Sequence, residues 1–174
     1  MGTITRVFEF DAAHRVMNEK VKCFNLHGHR FKVEMTFEYH SKGNLGYAID
    51  FKEIKRIGCA WMDEHLDHAC ILNPLDTELI HLCEKNHWRL YIMGFGNNAD
   101  INPSAENIAS ELFYTLKQLF MGEPLTLVNL RLYETPNCWV DAQSYDYTMG
   151  DYHLNLLREW RRAKGTMNYD AREE

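Results

Sequence analysis

The sequence predicts an α+β fold with an antiparallel sheet, and three features predict it: a stretch of strict alternation, two apolar stripes at helical spacing, and the order in which these fall. Residues 30–39 put Phe31, Val33, Met35, Phe37 and Tyr39 on one face and Arg30, Lys32, Glu34, Thr36 and Glu38 on the other, the pattern of a half-buried strand. Residues 4–14 form an earlier strand, whose even positions Phe8, Phe10 and Ala12 run into His14, so the two can pair as neighbours. "SKGNLG" is a turn. Asp50, with Glu53 three residues on, opens a helix along which Phe51, Ile54, Ile57, Trp61 and His65 recur to about Leu66. A shorter helix over residues 77–84 and an apolar stretch, "WRLYIM", follow. In "NPSAENIASELFYTLKQLFMGEP" a second long helix is capped by Asn102 or Ser104, takes Pro103 in its first turn, buries Ile108, Leu112, Leu116 and Leu119, and stops at Gly122 and Pro124. Thr126, Val128, Leu130 and Leu132 then alternate with Asn129, Arg131 and Tyr133 in a third strand that ends at Glu134, and a fourth follows "TPN" through Trp139. From about Tyr145 a tail carries one amphipathic segment, "DYHLNLLREWRRAKG", and a polar end expected to fray.

Composition narrows the function. At 174 residues and 45% hydrophobic content the chain can bury one core. No apolar run approaches the roughly 18–20 residues of a membrane span, and "MGTITRVFEF" lacks the charged head and apolar core of a signal, so a cytoplasmic protein is expected. The five cysteines are odd in number and scattered, which indicates reduced thiols. A net charge of −6 without a basic cluster argues against a nucleic-acid surface and for a small-molecule ligand.

Extended backwards, the buried face of the second strand passes from Phe31 to His29 and His27. Residues two apart in a strand point the same way at roughly 6.5–7 Å, so both imidazoles can converge on one ion at about 2.0–2.1 Å, with His14 of the adjacent strand as a third donor. Any one of these histidines alone would be read as an inert, hydrogen-bonded side chain. Three at one core edge are costly without a shared partner, and imidazoles without an acidic cluster suit zinc. Cys23, in an extended chain, would lie roughly 13 Å from His27, beyond a Zn–S bond of about 2.3 Å, and can ligate only if the chain folds back. An open three-histidine site is catalytic and a closed Cys-His₃ site structural; catalysis is the favoured reading, with Cys23 as base or nucleophile beside the metal. Glu134 ends the apolar row of its strand. It is either half of a structural salt bridge or an acceptor for adjacent N–H donors such as those of a pterin or guanine. Within "DEHLDHAC", Asp67 can orient His68 for proton transfer, although such a helix end is more often a solvated face.

Taken in order, "FDAAHR", "CFNLHGH", "IDFKEIK", "LDHACILN", "NPSAEN" and "ETPN" resemble the 6-pyruvoyl-tetrahydropterin synthase / 6-carboxy-tetrahydropterin synthase family over roughly residues 4–142. The resemblance implies the tunnelling fold (T-fold): a four-stranded antiparallel sheet with two helices on one face, sheets joining into a barrel on oligomerisation, active sites between subunits, and a homo-oligomer, with a hexamer favoured. Residues 1–144 would form this domain and 145–174 a C-terminal extension with one helix. It implies zinc on His14, His27 and His29, a catalytic Cys23 with the pair Asp67 and His68, and a pterin held by Glu134 with contacts from Ser104 and Ala105. Ser104 stands where the family usually has Thr, and "NCWVDA" departs from the usual ending. The implied substrate is 7,8-dihydroneopterin triphosphate, whose phosphates Arg15, Lys20 and Lys22 could meet by proximity. The Cys-x₃-His-Gly-His spacing is similar to that of the carboxy-forming branch of queuosine and related 7-deazaguanine biosynthesis. Alternatives are a pyruvoyl-forming synthase, an aldolase-like folate enzyme, and a zinc-stabilised binding module without turnover.

Overall fold

The computed structural model describes residues 1–96, 100–143 and 151–165. Strands β1 (Gly2–His14) and β2 (His27–Tyr39) pair antiparallel along their whole length, from Gly2 opposite Tyr39 to His14 opposite His27. The alternation in β2 holds: Phe31, Val33, Met35 and Phe37 are wholly buried, and His29 and His27 continue their face. β5 (Leu125–Thr135) pairs antiparallel with β2, and β6 (Cys138–Ala142) pairs antiparallel with β5.

The sheet is larger than the four antiparallel strands expected. Two three-residue strands, β3 (Cys70–Leu72) and β4 (Leu90–Ile92), add to it in parallel, giving six strands in the order β4-β3-β1-β2-β5-β6. Strands this short carry no periodicity to read, because three residues show at most one alternation. The parity expected for β5 is also corrected. Phe37 pairs with Leu127 but Thr36 with Asn129, so Val128 is an extra residue, and Leu125 and Leu127 rather than Thr126 and Val128 point inward before Leu130 and Leu132.

The first helix stretch runs as α1 (Phe51–Ile54), a π-helical segment (Lys55–Cys59) and α2 (Ala60–His65). Asp50 caps it by accepting from the Lys52 N–H at 2.9 Å, while the Glu53 carboxylate pairs with Arg56. The π-helical segment brings Gly58 against β2, where an added Cβ would meet Phe120 at 3.1 Å and the Met35 sulfur at 3.2 Å. α3 (Thr77–Asn86) is capped by Asp76 and closes on His87 in the left-handed region. α4 (Ala105–Leu119) is capped by Ser104, whose hydroxyl accepts from the Asn107 N–H. Pro103 therefore stands outside α4, one residue before the cap, rather than in its first turn. Ile54, Ile57, Trp61, Ile108, Leu112 and Leu116 join the inner face of the sheet in one core, so α1–α2 and α4 cover one face as expected. α5 (Asp151–Ala163) packs on α4 through Leu157. The expected boundary at 144/145 and the fraying end at 166–174 lie outside the described residues. No helix among the described residues is long and apolar enough to cross a membrane.

Candidate metal and active site

His14, His27 and His29 meet at one end of the β1–β2 pair, with ring nitrogens that all lie within 4.8 Å of one another. Strand pairing accounts for this, since His14 is opposite His27 and Ala12 opposite His29. Two of the rings are locked from behind. His14 Nδ1–H donates to the Pro103 carbonyl at 2.7 Å, and His27 Nδ1–H donates to the Asn25 carbonyl at 2.7 Å. Each bond leaves the Nε2 lone pair to the cluster. His14 is almost fully buried, and its Nε2 has no hydrogen-bond partner. An orphaned, neutral imidazole nitrogen facing two others is the donor set of a three-histidine metal site. Burial pushes His14 below the ordinary imidazole range, with the Pro103 bond opposing it, so the ring is a free base at neutral pH.

Glu134 reaches the same place. It is the residue bulged out of β5 opposite β6, between Tyr133, which pairs with Trp139, and Thr135, which pairs with Cys138. Its Oε1 lies 3.6 Å from His14 Nε2, past hydrogen-bonding reach, and it lines a cleft with Gly28, His29, Lys32 and Tyr133. Asp67 and His68 form the pair read from the sequence. His68 Nδ1 is 2.7 Å from Asp67 Oδ2, and Asp67 Oδ1 accepts from the Asp11 N–H at 3.0 Å. His68 holds a left-handed backbone, φ 59°, tied by its own N–H to the Asp11 carbonyl at 2.6 Å. A non-glycine residue held there stores strain that the Asp11 bonds offset. His68 lines a second cleft with Ala13, Gly28, His29 and Cys70, so the two clefts meet at Gly28–Arg30.

Cys23 is not in the metal group, and it lines neither cleft. The chain from Cys23 to His27 is not extended throughout, which corrects the expectation from the sequence. Lys22–Phe24 forms a 3-10 turn, and the Val16 N–H donates to the Cys23 carbonyl at 2.8 Å, folding the loop back beside His14. Its thiol is exposed, whereas Cys59 and Cys83 are buried. Burial pushes both of those thiols up, and Cys83, beside Cys70, reaches about 11, which removes them as nucleophiles near neutral pH.

Ser104 and Ala105 begin α4 next to Pro103, the residue that orients His14. Arg15 is engaged elsewhere: Nε and Nη2 donate to the two oxygens of Asp76 at 2.5 and 2.6 Å. Lys20 and Lys22 are exposed. The carbonyls of Pro103 and Asn25 went unread in the sequence, because a backbone acceptor has no side-chain signature. The proline beside a helix cap was the one available hint.

A family model described as 6-pyruvoyl tetrahydropterin synthase matches residues 3–144. The chain is 40% identical over 140 residues to a 6-carboxy-5,6,7,8-tetrahydropterin synthase of Rickettsia felis, covering 79% of this chain and 97% of that protein. It is 30% identical over 149 residues to the protein of the same name from Haemophilus influenzae, covering 82% and 99%. Among solved structures, the 6-pyruvoyl tetrahydropterin synthase of Caenorhabditis elegans matches with a TM-score of 0.59 at 22% identity, covering 82% of this chain and 95% of that one. The uncharacterized protein WS1659 from Wolinella succinogenes matches with a TM-score of 0.67 at 21% identity, covering 82% and 97%. These two likenesses speak to the fold alone.

Proposed function

The chain belongs to the 6-pyruvoyl tetrahydropterin synthase family, and from that premise we propose that it is a zinc-dependent lyase, a 6-carboxy-5,6,7,8-tetrahydropterin synthase. It converts 7,8-dihydroneopterin triphosphate and one water to 6-carboxytetrahydropterin, acetaldehyde and triphosphate, in queuosine or related 7-deazaguanine biosynthesis. The observation that carries the reading is the three-histidine cluster with its back-bonded rings and the orphaned Nε2 of His14. Relatives at 40% and 30% identity bear the carboxy-forming name, and three residues separate Cys23 from His27-Gly28-His29.

His14, His27 and His29 would hold the zinc. When bound there it supplies Lewis acidity toward the side-chain hydroxyls of the substrate. Glu134 accepts the paired N–H groups of the pterin, and its closeness to His14 fits a ring anchored just beside the metal-ligating nitrogens. Cys23, as thiolate, removes a proton from the substrate side chain. His68, kept in one tautomer by Asp67, exchanges protons through Nε2 as triphosphate departs. Ser104 and Ala105, at the start of α4, are read as further pterin contacts. The domain spans residues 1–144, with 145–174 an extension.

The reading includes a homo-oligomer, favoured as a hexamer, in the cytoplasm. β3 pairs with β1 only at Ala13 and His14, so the rest of that edge, Gly2–Ala12, has no strand partner among the described residues, and the outer edge of β6 has none either. Such edges call for pairing, which supports barrel closure between subunits. Five free thiols fit a reducing compartment.

Incubation with 7,8-dihydroneopterin triphosphate, followed by mass spectrometry and an acetaldehyde assay, tests the function. The expected products are 6-carboxytetrahydropterin and acetaldehyde in equal amounts. 6-Pyruvoyl-tetrahydropterin without acetaldehyde would replace the reading with that of the pyruvoyl-forming branch, the second reading, which the description of the matching family model keeps as the nearest rival.

A further inference from the structure

The loop between β1 and β2 carries the thiol, yet the sheet does not fix its path. Residues 21–26 are all exposed, and the turn Lys22–Phe24 buries nothing. A thiol on so exposed a segment samples many positions unless something outside the loop restrains it. The first three residues of the loop are restrained twice over. The Asn102 side chain grips the Met17 backbone in both directions, with Oδ1 accepting from the Met17 N–H at 2.8 Å and Nδ2 donating to the Met17 carbonyl at 3.1 Å. Arg15 makes its two bonds to Asp76, whose carboxylate is 1% exposed.

The thiol turn is docked on that arm at the sulfur-bearing residue and at the one that follows it. The Val16 N–H donates to the Cys23 carbonyl at 2.8 Å, and the Arg15 guanidinium lies over the Phe24 ring, 5.3 Å from its centre. Asn102 is itself held. Its Oδ1 also accepts from Asn73, which is wholly buried, at 3.0 Å, and its carbonyl accepts from the Asn107 side chain at 2.9 Å. The next residue, Pro103, orients the His14 ring. One short segment therefore sets both a metal-ligating nitrogen and the arm that carries the thiol.

We infer that Asn102 is a positioning residue for Cys23, and that Arg15 with Asp76 is the second strut of the same device. Arg15 thereby serves the thiol loop instead of a phosphate. Asparagine suits the task because one planar head offers a donor and an acceptor to one residue's backbone. Aspartate keeps only the acceptor, and alanine keeps neither. The catalytic half of the inference rests on the reading of Cys23 as the base; the mechanical half does not.

The test uses the full chain loaded with zinc and follows iodoacetamide labelling of Cys23 by peptide mass spectrometry, with the exposed Cys138 as internal reference. In Asn102→Ala the Cys23/Cys138 rate ratio shifts by about threefold or more, zinc content stays unchanged, and kcat falls by about 10- to 100-fold with KM changed far less, the cost of about 1 Å of misplacement. Asn102→Asp, nearly isosteric, shows intermediate values of both. An unchanged labelling ratio, or equal changes at both cysteines, overturns the inference. If neither variant folds, hydrogen exchange in the unsubstituted protein decides: a Met17 amide that exchanges as fast as the exposed residues 21–26 overturns it, and a protected one upholds the clamp. Absence of turnover in the unsubstituted protein would sink the proposed function and leave the labelling result to judge the clamp alone.

Discussion

A backbone carbonyl decides what His14 can do. By accepting a hydrogen bond from Nδ1–H, the Pro103 carbonyl leaves the Nε2 lone pair of a buried ring free to face His27 and His29. The chemistry is therefore divided by residue, and so is the expected outcome of substitution. On the proposed reading, His27→Ala removes one of three ligands and should empty the site of zinc and abolish turnover together. Cys23→Ala should abolish turnover and leave about one zinc per chain, as measured by atomic absorption. Loss of metal from Cys23→Ala would make the thiol a ligand. The triad was legible because strand parity is strict: once Phe31 faces inward, so must His29 and His27. The place of Cys23 was not, because the extended chain assumed before His27 gives way to a turn held by Val16, and nothing in "KCFNL" announces it. His14 also makes the metal-free protein acid-sensitive. Its folded value is pushed below the ordinary imidazole value of about 6.5, so between the two the unfolded chain binds more protons. Stability that is whole above about pH 6.5 is then lost as pH falls through the folded value. Urea midpoints of the metal-free protein should drop as pH falls below about 6.5, and His14→Gln should flatten that drop.

At the scale of elements, the long ones announced themselves and the short ones did not. β2 carries enough alternation, and α4 enough turns of apolar stripe, for pattern to overrule local noise. β3 and β4 owe their existence to neighbours. Cys70 and Ile71 become strand because Ala13 and His14 lie alongside, a tertiary cause invisible in the residues themselves. The Val128 bulge is of the same kind: alternation from Leu130 backwards predicts the wrong face for Thr126, and only the register against Phe37 and Thr36 reveals the extra residue. The π-helical segment gives a sharper test. It presents Gly58 so tightly that a single added carbon would sit 3.1 Å from Phe120, 3.2 Å from the Met35 sulfur and 3.4 Å from Leu116. These neighbours come from the two elements the segment packs against, β2 and the α4 end, and all three are buried. Gly58→Val puts three carbons where one is already crowded. It should destabilise by about 1–3 kcal/mol or more, read as a lowered urea midpoint, since overpacking forces neighbours off their rotamers. A wild-type midpoint in that variant would mean that the helix stretch can shift away from β2 at no cost.

For the molecule as a whole, the question is what the C-terminal helix is for. Every residue proposed for catalysis, substrate or metal falls within residues 14–134, and the family match ends at residue 144, so α5 lies outside that match and supplies none of the proposed residues. Its attachments are nevertheless specific. Leu157 is 4% exposed in the core, and Leu154 and Trp160 pack beside it. Arg161 donates to the Leu119 carbonyl at 3.1 Å, capping the end of α4, and also pairs with Glu123. Trp160 and Lys164 both donate to Glu64, on the first helix stretch. The helix therefore clasps the last turn of α4 and the end of α2 at once, two elements that lie on the same face of the sheet. Burying a leucine contributes about 1.5–3 kcal/mol, and the exposed Lys164–Glu64 pair adds little to that. A chain ending at residue 143 should lose about 2–4 kcal/mol of stability, with a lowered urea midpoint. It should still bind one zinc, because β1, β2 and the Pro103 carbonyl that orients His14 are untouched by the truncation. Loss of zinc together with stability would show that α4 cannot hold Pro103 in place without the clasp at its far end, and would make the extension part of the site's architecture rather than its support.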